Sequence, residues 1–278
     1  MEMQTVAMQA VEGDEQESSP ADQDTRPGDG YVQSFARGLA VIRAFDSAHP
    51  SMTLSAVAEA AGITRAGARR ILLTLVQLGY VAVDGRQFHL TARILELGFA
   101  YLSSMPFWDL AEPIMEALVS EVHESCSASV LDGPDIVYVL RIPTSKIMTI
   151  SLGIGSRLPA FCTSMGRVLL SDLDDAGINA ILRKSDLRPR TGRTVTDKAE
   201  LLQAIREVRD KGWAMVNQEL EEGLVSISAP IRDRNQRIIA AMNISGQANR
   251  TSPQQMVKKL LPPLRESADR ISALLQRR

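Results

Sequence analysis

Between Thr53 and Leu90, two short runs with helical apolar spacing flank a glycine. Two four-residue β-type runs follow at once around an Asp-Gly pair. Few small folds accept that order. "TLSAVAEAAG" reads as a helix that Thr53 or Ser55 can cap and Gly62 ends; the next helix is capped by Thr64, runs to about Leu78 and is closed by Gly79. Upstream, "YVQSFARGLAVIRAFD" spaces Leu39, Ile42 and Phe45 as an amphipathic helix from about Ser34 to Ser47, which "HPSM" breaks. Downstream, "YVAV" and "QFHL" joined by "DGR" read as a hairpin, because Asp and Gly both tolerate positive φ. Helix, helix, tight turn, helix and hairpin is the order of a winged helix-turn-helix, whose post-turn helix enters the major groove of DNA.

The residues of that helix fit the role. At 100° per residue, Ala68, Ile71, Leu72, Leu75 and Leu78 form one stripe for a core, while Arg65, Ala66, Arg69 and Arg70 lie opposite on the first two turns. Arginine grips guanine O6 and N7 with two hydrogen bonds, or holds a phosphate, and the small Ala66 permits close approach. Arg86 at the hairpin tip, Arg37 and Thr64 are phosphate candidates. Leu73 falls on the arginine side and needs the hairpin or a neighbour to cover it. The competing reading is a solvated arginine face on an ordinary surface helix; turn, hairpin and charge agree in favouring DNA.

The charge argument is local. The net charge of the 278 residues is only −2. Yet residues 31–93 hold seven arginines (37, 43, 65, 69, 70, 86, 93) against Asp46, Glu59 and Asp84, and no lysine precedes Lys146. Residues 1–30 hold eight acids and one base, Arg26, in a setting of Gln, Ser, Pro and Gly, and read as a disordered acidic tail that masks the basic segment in the total.

The length suits two domains: winged helix over 31–93, a linker helix over 94–109, and a larger domain over 110–278. "TARILELGFAYLSS" places Leu95, Phe99 and Leu102 on one side of the linker, a face suited to a dimer contact, and a reader of two DNA half-sites is expected to be at least a dimer. No apolar run approaches 18 residues and the N-terminus is acidic, so neither a membrane span nor a secretory signal is expected, and the protein reads as cytoplasmic. Cys126 and Cys162 are far apart, and the three histidines show no ligand spacing; no disulfide, metal or cofactor is expected.

In the larger half, a helical run "DLAEPIMEALVSEVHES" precedes a hairpin about Asp132–Asp135. A strand and turn in "IMTISLGIGSRLPAF" then lead to a helix starting near Cys162–Ser164. Helices at about 175–184 and 197–211 follow, then three strands ("GWAMVNQEL", "LVSISAPI", "RIIAAMNISG") and a closing helix kinked at Pro262-Pro263. Helices on an antiparallel sheet, an α+β arrangement, fit a small-molecule sensor. The turn in "GSRLPAFCTSMGR" rises to a helix N-terminus, which favours an anion such as a carboxylate. Ser226 and Ser228, and Asn243 and Ser245, alternate with apolar residues; that polar face either lines a cavity or meets solvent. Arg141, Arg157 and Arg167 are each a carboxylate partner or a surface charge. No GxSxG, Walker loop or GxGxxG is present, and Cys162, with no histidine assigned beside it, reads as a small thiol lining a pocket rather than a nucleophile.

Four segments together resemble the IclR family of bacterial transcription regulators, over about residues 31 to 275: "SFARGLAVIRAFD", "LSAVAEAAGITRAGARRILLTLVQLGYV", "LPAFCTSMGRVLLS" and "GWAMVNQELEEGLVSISAPIRDRNQRIIAAMNISG". Within it, "TRAGARRILLTLVQLGYV" and "GSRLPAFCTSMGRVLLS" look most like regulators of aromatic-acid catabolism through the β-ketoadipate pathway, which respond to protocatechuate, 4-hydroxybenzoate, β-ketoadipate or related acids. The resemblance implies a homodimer, or dimer of dimers, on double-stranded operator DNA. It also implies a C-terminal GAF-like domain for a small carboxylic-acid effector. Family effector positions fall on Leu158, Ser164, Met165, Leu224, Ser226, Asn243 and Ser245. Members that bind very small keto acids have Gly-Ala at Ser164-Met165, a departure that changes the pocket. Three functions follow in order: an aromatic-acid-responsive regulator, a regulator sensing a small aliphatic keto acid, and an enzyme with an accessory winged helix.

Overall fold

The computed structural model describes residues 30–103, 107–144 and 152–276. The expected acidic tail, and the "IMTIS" part of the expected strand segment, lie outside the described residues. The chain divides into two compact units at Glu96 and Leu97.

The first unit begins with α1 (Gln33–Arg43), then β1 (Ser51–Thr53), α2 (Leu54–Ala60), α3 (Arg65–Gln77), β2 (Val81–Asp84) and β3 (Gln87–Leu90). Thr53 caps α2 and Thr64 caps α3, each accepting the amide three residues on (from Ala56 at 3.3 Å and from Gly67 at 3.1 Å). Between them Gly62 takes φ +63°, which a side chain resists, and this sets the tight turn. The hairpin turn is Gly85-Arg86, with only Gly85 at positive φ; Asp84 is the last paired strand residue, opposite Gln87.

Three expectations need correction here. β1 was not expected: it pairs with β3 through Ser51–His89, Met52–Phe88 and Thr53–Gln87, making a three-stranded sheet in the order β1-β3-β2. Three residues show no readable alternation, and the partner lies far along the chain. On α1 the buried residue is Val41, while Leu39 stays 38% exposed in line with Val32 and Phe35. Leu78 and Leu73 are not covered either; Leu78 caps α3 rather than continuing its core stripe. The core of this unit is Val41, Met52, Val57, Leu72, Leu75 and Val81.

A 3-10 turn (Ala92–Ile94) leads into α4 (Leu95–Ser103) and then α5 (Phe107–Val122). The second unit continues as β4 (Ser125–Asp132), β5 (Asp135–Ile142), β6 (Arg157–Pro159), α6 (Ser164–Leu170), α7 (Asp175–Lys184), α8 (Lys198–Lys211), β7 (Ala214–Asn217), β8 (Leu224–Arg232) and β9 (Ile238–Gln247). It closes with α9 (Pro253–Gln255), a π-helical turn (Met256–Leu260) and α10 (Leu261–Gln276). The wide turn stands where Pro262 and Pro263 cannot donate to the carbonyls four residues back, so the expected kink takes the form of a π turn.

The strands form one antiparallel sheet in the order β6-β5-β4-β9-β8-β7. Its two faces carry two cores. α5 and α10 cover one, with Met115, Leu118, Leu264 and Ile271 against Ile227, Met242 and Ile244. α6, α7 and α8 cover the other, with Phe161, Met165, Ile178, Leu182, Leu201 and Ile205 against Ile136 and Tyr138. Burying apolar side chains on both faces is the main stabilising term, on the order of 25 cal/mol per Å² removed from water.

Candidate functional site

On the first unit, Arg65, Ala66, Arg69 and Arg70 are exposed together on the N-terminal turns of α3, and Arg37 and Arg86 are exposed on α1 and at the hairpin tip. Among the described residues none of these five arginines has an acidic partner, so their charge is available to an anion. Thr64 is occupied as the α3 cap, with its hydroxyl oxygen on the Gly67 amide. The helix thus presents an uncompensated cationic surface on a rigid, capped frame, which is what groove reading requires.

On the second unit the polar sheet face is buried, which decides the question left open by alternation alone. Antiparallel register lines up Ser125, Ser245 and Ser226 in one row, and Arg141, Ser127, Asn243 and Ser228 in the next. Ser127, Ser228 and Asn243 are almost wholly inaccessible. Buried hydroxyls and amides are costly unless paired, and here they pair with one another. Asn243 accepts the Ser127 amide at 3.1 Å, and donates to Ser226 Oγ at 3.0 Å and to Ser245 Oγ at 2.9 Å. Ser164, the first residue of α6, sits 2.8 Å from Ser226 Oγ and accepts from Ser228 Oγ at 2.6 Å. Ser129 Oγ donates to Met165 Sδ at 3.2 Å. The helix is thereby fastened to the sheet by polar contacts inside an apolar core.

α6 lies unusually close to the chain before it. A Cβ on Gly166 would stand 2.1 Å from the Ala160 carbonyl oxygen, so only glycine fits there. Thr163 caps the helix through the Gly166 amide and donates its own hydroxyl to Pro159 and Ala160 carbonyls.

Beside this network is a small cavity of about 30 Å³. Its described lining includes Cys162, Ser164, Met165, Leu224, Ser226, Asn243 and Ser245, seven of the residues singled out from sequence. Tyr138, Thr163, Val216 and Leu220 line it as well and were not foreseen. Tyr138 hides in the apolar run "IVYVL". The serines of β4, by contrast, had a signal: Ser125, Ser127 and Ser129 alternate with the same period as Ser226 and Ser228.

Four of the sequence candidates lie apart from the cavity lining. Leu158 pairs with Ile136 on the edge strand and packs at the margin of the α6 core. Arg157 is held outside by the hairpin acids, at 2.6 Å from Asp132 and 3.2 Å from Asp135, so its charge is already spent. Arg141 is half-buried on the polar face, its Nη1 donating to Ser127 Oγ at 3.4 Å. Arg167 is neither surface charge nor cavity ligand: it forms a buried ion pair with Glu219 at 2.6 Å and donates to the Phe161 carbonyl.

The thiol of Cys162 is pushed up to about 11, mainly by burial, and burial drives Cys126 higher still. A thiol that stays protonated at neutral pH is a poor nucleophile. Among the described residues no cluster of potential metal ligands exists.

Comparison with known proteins bears on both units. Residues 34–85 match the family described as the IclR helix-turn-helix domain, and residues 99–273 match the bacterial transcriptional regulator IclR C-terminal domain. The Pca regulon regulatory protein of Pseudomonas putida is 41% identical over 235 residues, covering 84% of this chain and 81% of its own. A solved chain from Rhodococcus sp. RHA1, described as a transcriptional regulator, shares 53% identity at a TM-score of 0.79, covering 88% of this chain and 98% of its own. An IclR homolog from Microbacterium hydrocarbonoxydans, solved with 4-hydroxybenzoate, has the same fold at 22% identity and a TM-score of 0.77, covering 88% of this chain and 100% of its own. The curated relatives are named as transcriptional regulators, not as enzymes.

Proposed function

Because the chain belongs to the IclR family of bacterial transcriptional regulators, we propose that it controls an aromatic-acid catabolic operon of the β-ketoadipate pathway in response to an acid such as protocatechuate or β-ketoadipate. That it is a ligand-responsive DNA-binding regulator follows from the family; the pathway and effector are our reading. The Pseudomonas relative governs a pca regulon by name, and the Microbacterium homolog holds an aromatic hydroxy acid. It works in the cytoplasm, where its operator is, as a homodimer or a dimer of dimers.

The observation that carries this reading is the cavity under α6, lined by Ser164, Ser226, Asn243 and Ser245. At about 30 Å³ it is far smaller than the roughly 150 Å³ that accommodates benzene in an engineered protein core. An aromatic acid therefore enters only if the lining opens. The hydroxyl contacts from Ser226 and Ser228 to Ser164 are what a polar ligand would compete for, so occupancy and α6 placement are coupled. Coupling of that kind lets ligand binding bias one arrangement of the chain over another.

The small volume also favours a second reading, a sensor of a small aliphatic keto acid. Fluorescence anisotropy on the chain's own upstream intergenic DNA, at two salt concentrations, separates the readings when protocatechuate, β-ketoadipate and pyruvate are added in turn. Salt-sensitive binding shifted by one of the first two supports the pathway; a response to pyruvate alone replaces it with the second reading; no binding at low salt sinks both.

A further inference from the structure

Accounting for every polar side chain around the α6 cavity leaves one unspent. Ser164, Ser226, Asn243 and Ser245 bond to one another, and Thr163 bonds to the Pro159 carbonyl and to the Gly166 amide. Tyr138 is different. The residue is only 5% exposed and lines the cavity, and among the described residues its hydroxyl makes no hydrogen bond, yet it is not sealed away from accessible space. A donor left unpaired at the wall of a cavity is a place where a ligand's acceptor gains a hydrogen bond without displacing one inside the protein.

The surroundings say what kind. Arg141 follows Tyr138 three residues along β5, and the register pairs it with Ser127 on the face that Ser129, opposite Tyr138, also occupies. Its guanidinium is near enough to act electrostatically on the phenol. No described acid lines the cavity. A neutral hydroxyl donor within the field of a guanidinium suits an anionic oxygen better than a neutral one.

We propose that the Tyr138 hydroxyl donates to the carboxylate of the effector, placing the acid group at the β5 side of the cavity and leaving the Ser226–Asn243–Ser245 cluster for the ligand's other polar atoms. This rests on the acid-sensor reading above. The tyrosine ring also offers a flat apolar wall to an aromatic ligand. The phenol is held up to about 12 by burial, with Arg141 opposing, so it remains a donor throughout the physiological range.

The test is calorimetric titration of the full chain and of Tyr138→Phe with benzoate, 4-hydroxybenzoate, protocatechuate and β-ketoadipate. Thermal melts and operator binding without ligand show that the variant is folded. The expected result is that every acid bound by the parent binds the variant roughly tenfold to a hundredfold more weakly, by equal factors for benzoate and 4-hydroxybenzoate. Equal affinity in parent and variant overturns the inference and leaves the sensor reading standing. A penalty for 4-hydroxybenzoate but not benzoate also overturns it, because the contact is then to the ring hydroxyl. If the parent binds none of the four, the acid-sensor reading fails and takes this inference with it.

Discussion

Arg167 Nη2 lies 2.6 Å from Glu219 Oε2, with both side chains less than a tenth exposed. The pair joins α6 to the loop before β8, and Glu219 also accepts the Val195 amide at 3.2 Å. Removing one partner leaves the other charged and buried, and that penalty exceeds anything the pair contributes when intact. Glu219→Ala should therefore destabilise the protein by about 3–5 kcal/mol, and a joint replacement of both residues by apolar ones should recover much of the loss. Urea denaturation of the two variants measures both.

The exposed arginines of α3 make a separable prediction. Arg65→Ala or Arg69→Ala should weaken operator binding by about 1–3 kcal/mol if the residue reads a base, with relaxed sequence preference. Arg86→Ala, at the hairpin tip, should instead lower affinity for all sequences and reduce the salt slope by about one. Anisotropy on operator and scrambled DNA at several salt concentrations distinguishes them; parent-like binding by both α3 variants would falsify the assignment of the reading helix.

Val32, Phe35 and Leu39 follow one stripe of α1, and Leu95 and Phe99 are 70% and 69% exposed on α4. Apolar side chains left open to water on each of these helices call for a cover. A second copy of the chain is the cover we expect. Phe35→Asp and Phe99→Asp should each shift the protein toward monomer in sedimentation and weaken binding to two-half-site DNA, while single half-site binding changes little.

Alkaline pH gives a fourth check. Cys162 ionises at about 11 in the folded chain, against 9.0 ordinarily, because burial disfavours the thiolate. The folded state holds that proton more tightly than the unfolded one, so its contribution is complete below pH 9 and is lost as pH rises toward 11. Denaturation midpoints at pH 8, 10 and 11 should fall, and Cys162→Ala should flatten the part of the slope between 9 and 11. The same thiol should react slowly with iodoacetamide at pH 8 until the protein is unfolded.

Much of the first unit was legible because its information is local. Caps sit three residues from the amides they satisfy, as with Thr53 and Thr64, and the arginine face of α3 follows from helical spacing within six residues. β1 was missed because three residues carry no period. Leu39 fits the helical spacing yet stays exposed while Val41 is buried, because the helix has apolar residues on two sides, and spacing alone does not say which side is covered.

In the larger unit, the sequence by itself determined the alternation of Ser226, Ser228, Asn243 and Ser245, and hence that they share a face. Only the tertiary structure decided that this face is buried beneath α6, and that Arg167 finds Glu219 across 52 residues of chain while Arg157 finds the hairpin acids. It alone left Tyr138 without a partner in the cavity. A residue's period is written in its neighbours along the chain. Whether its polar atoms are met, and by what, depends on segments that folding brings together from far apart.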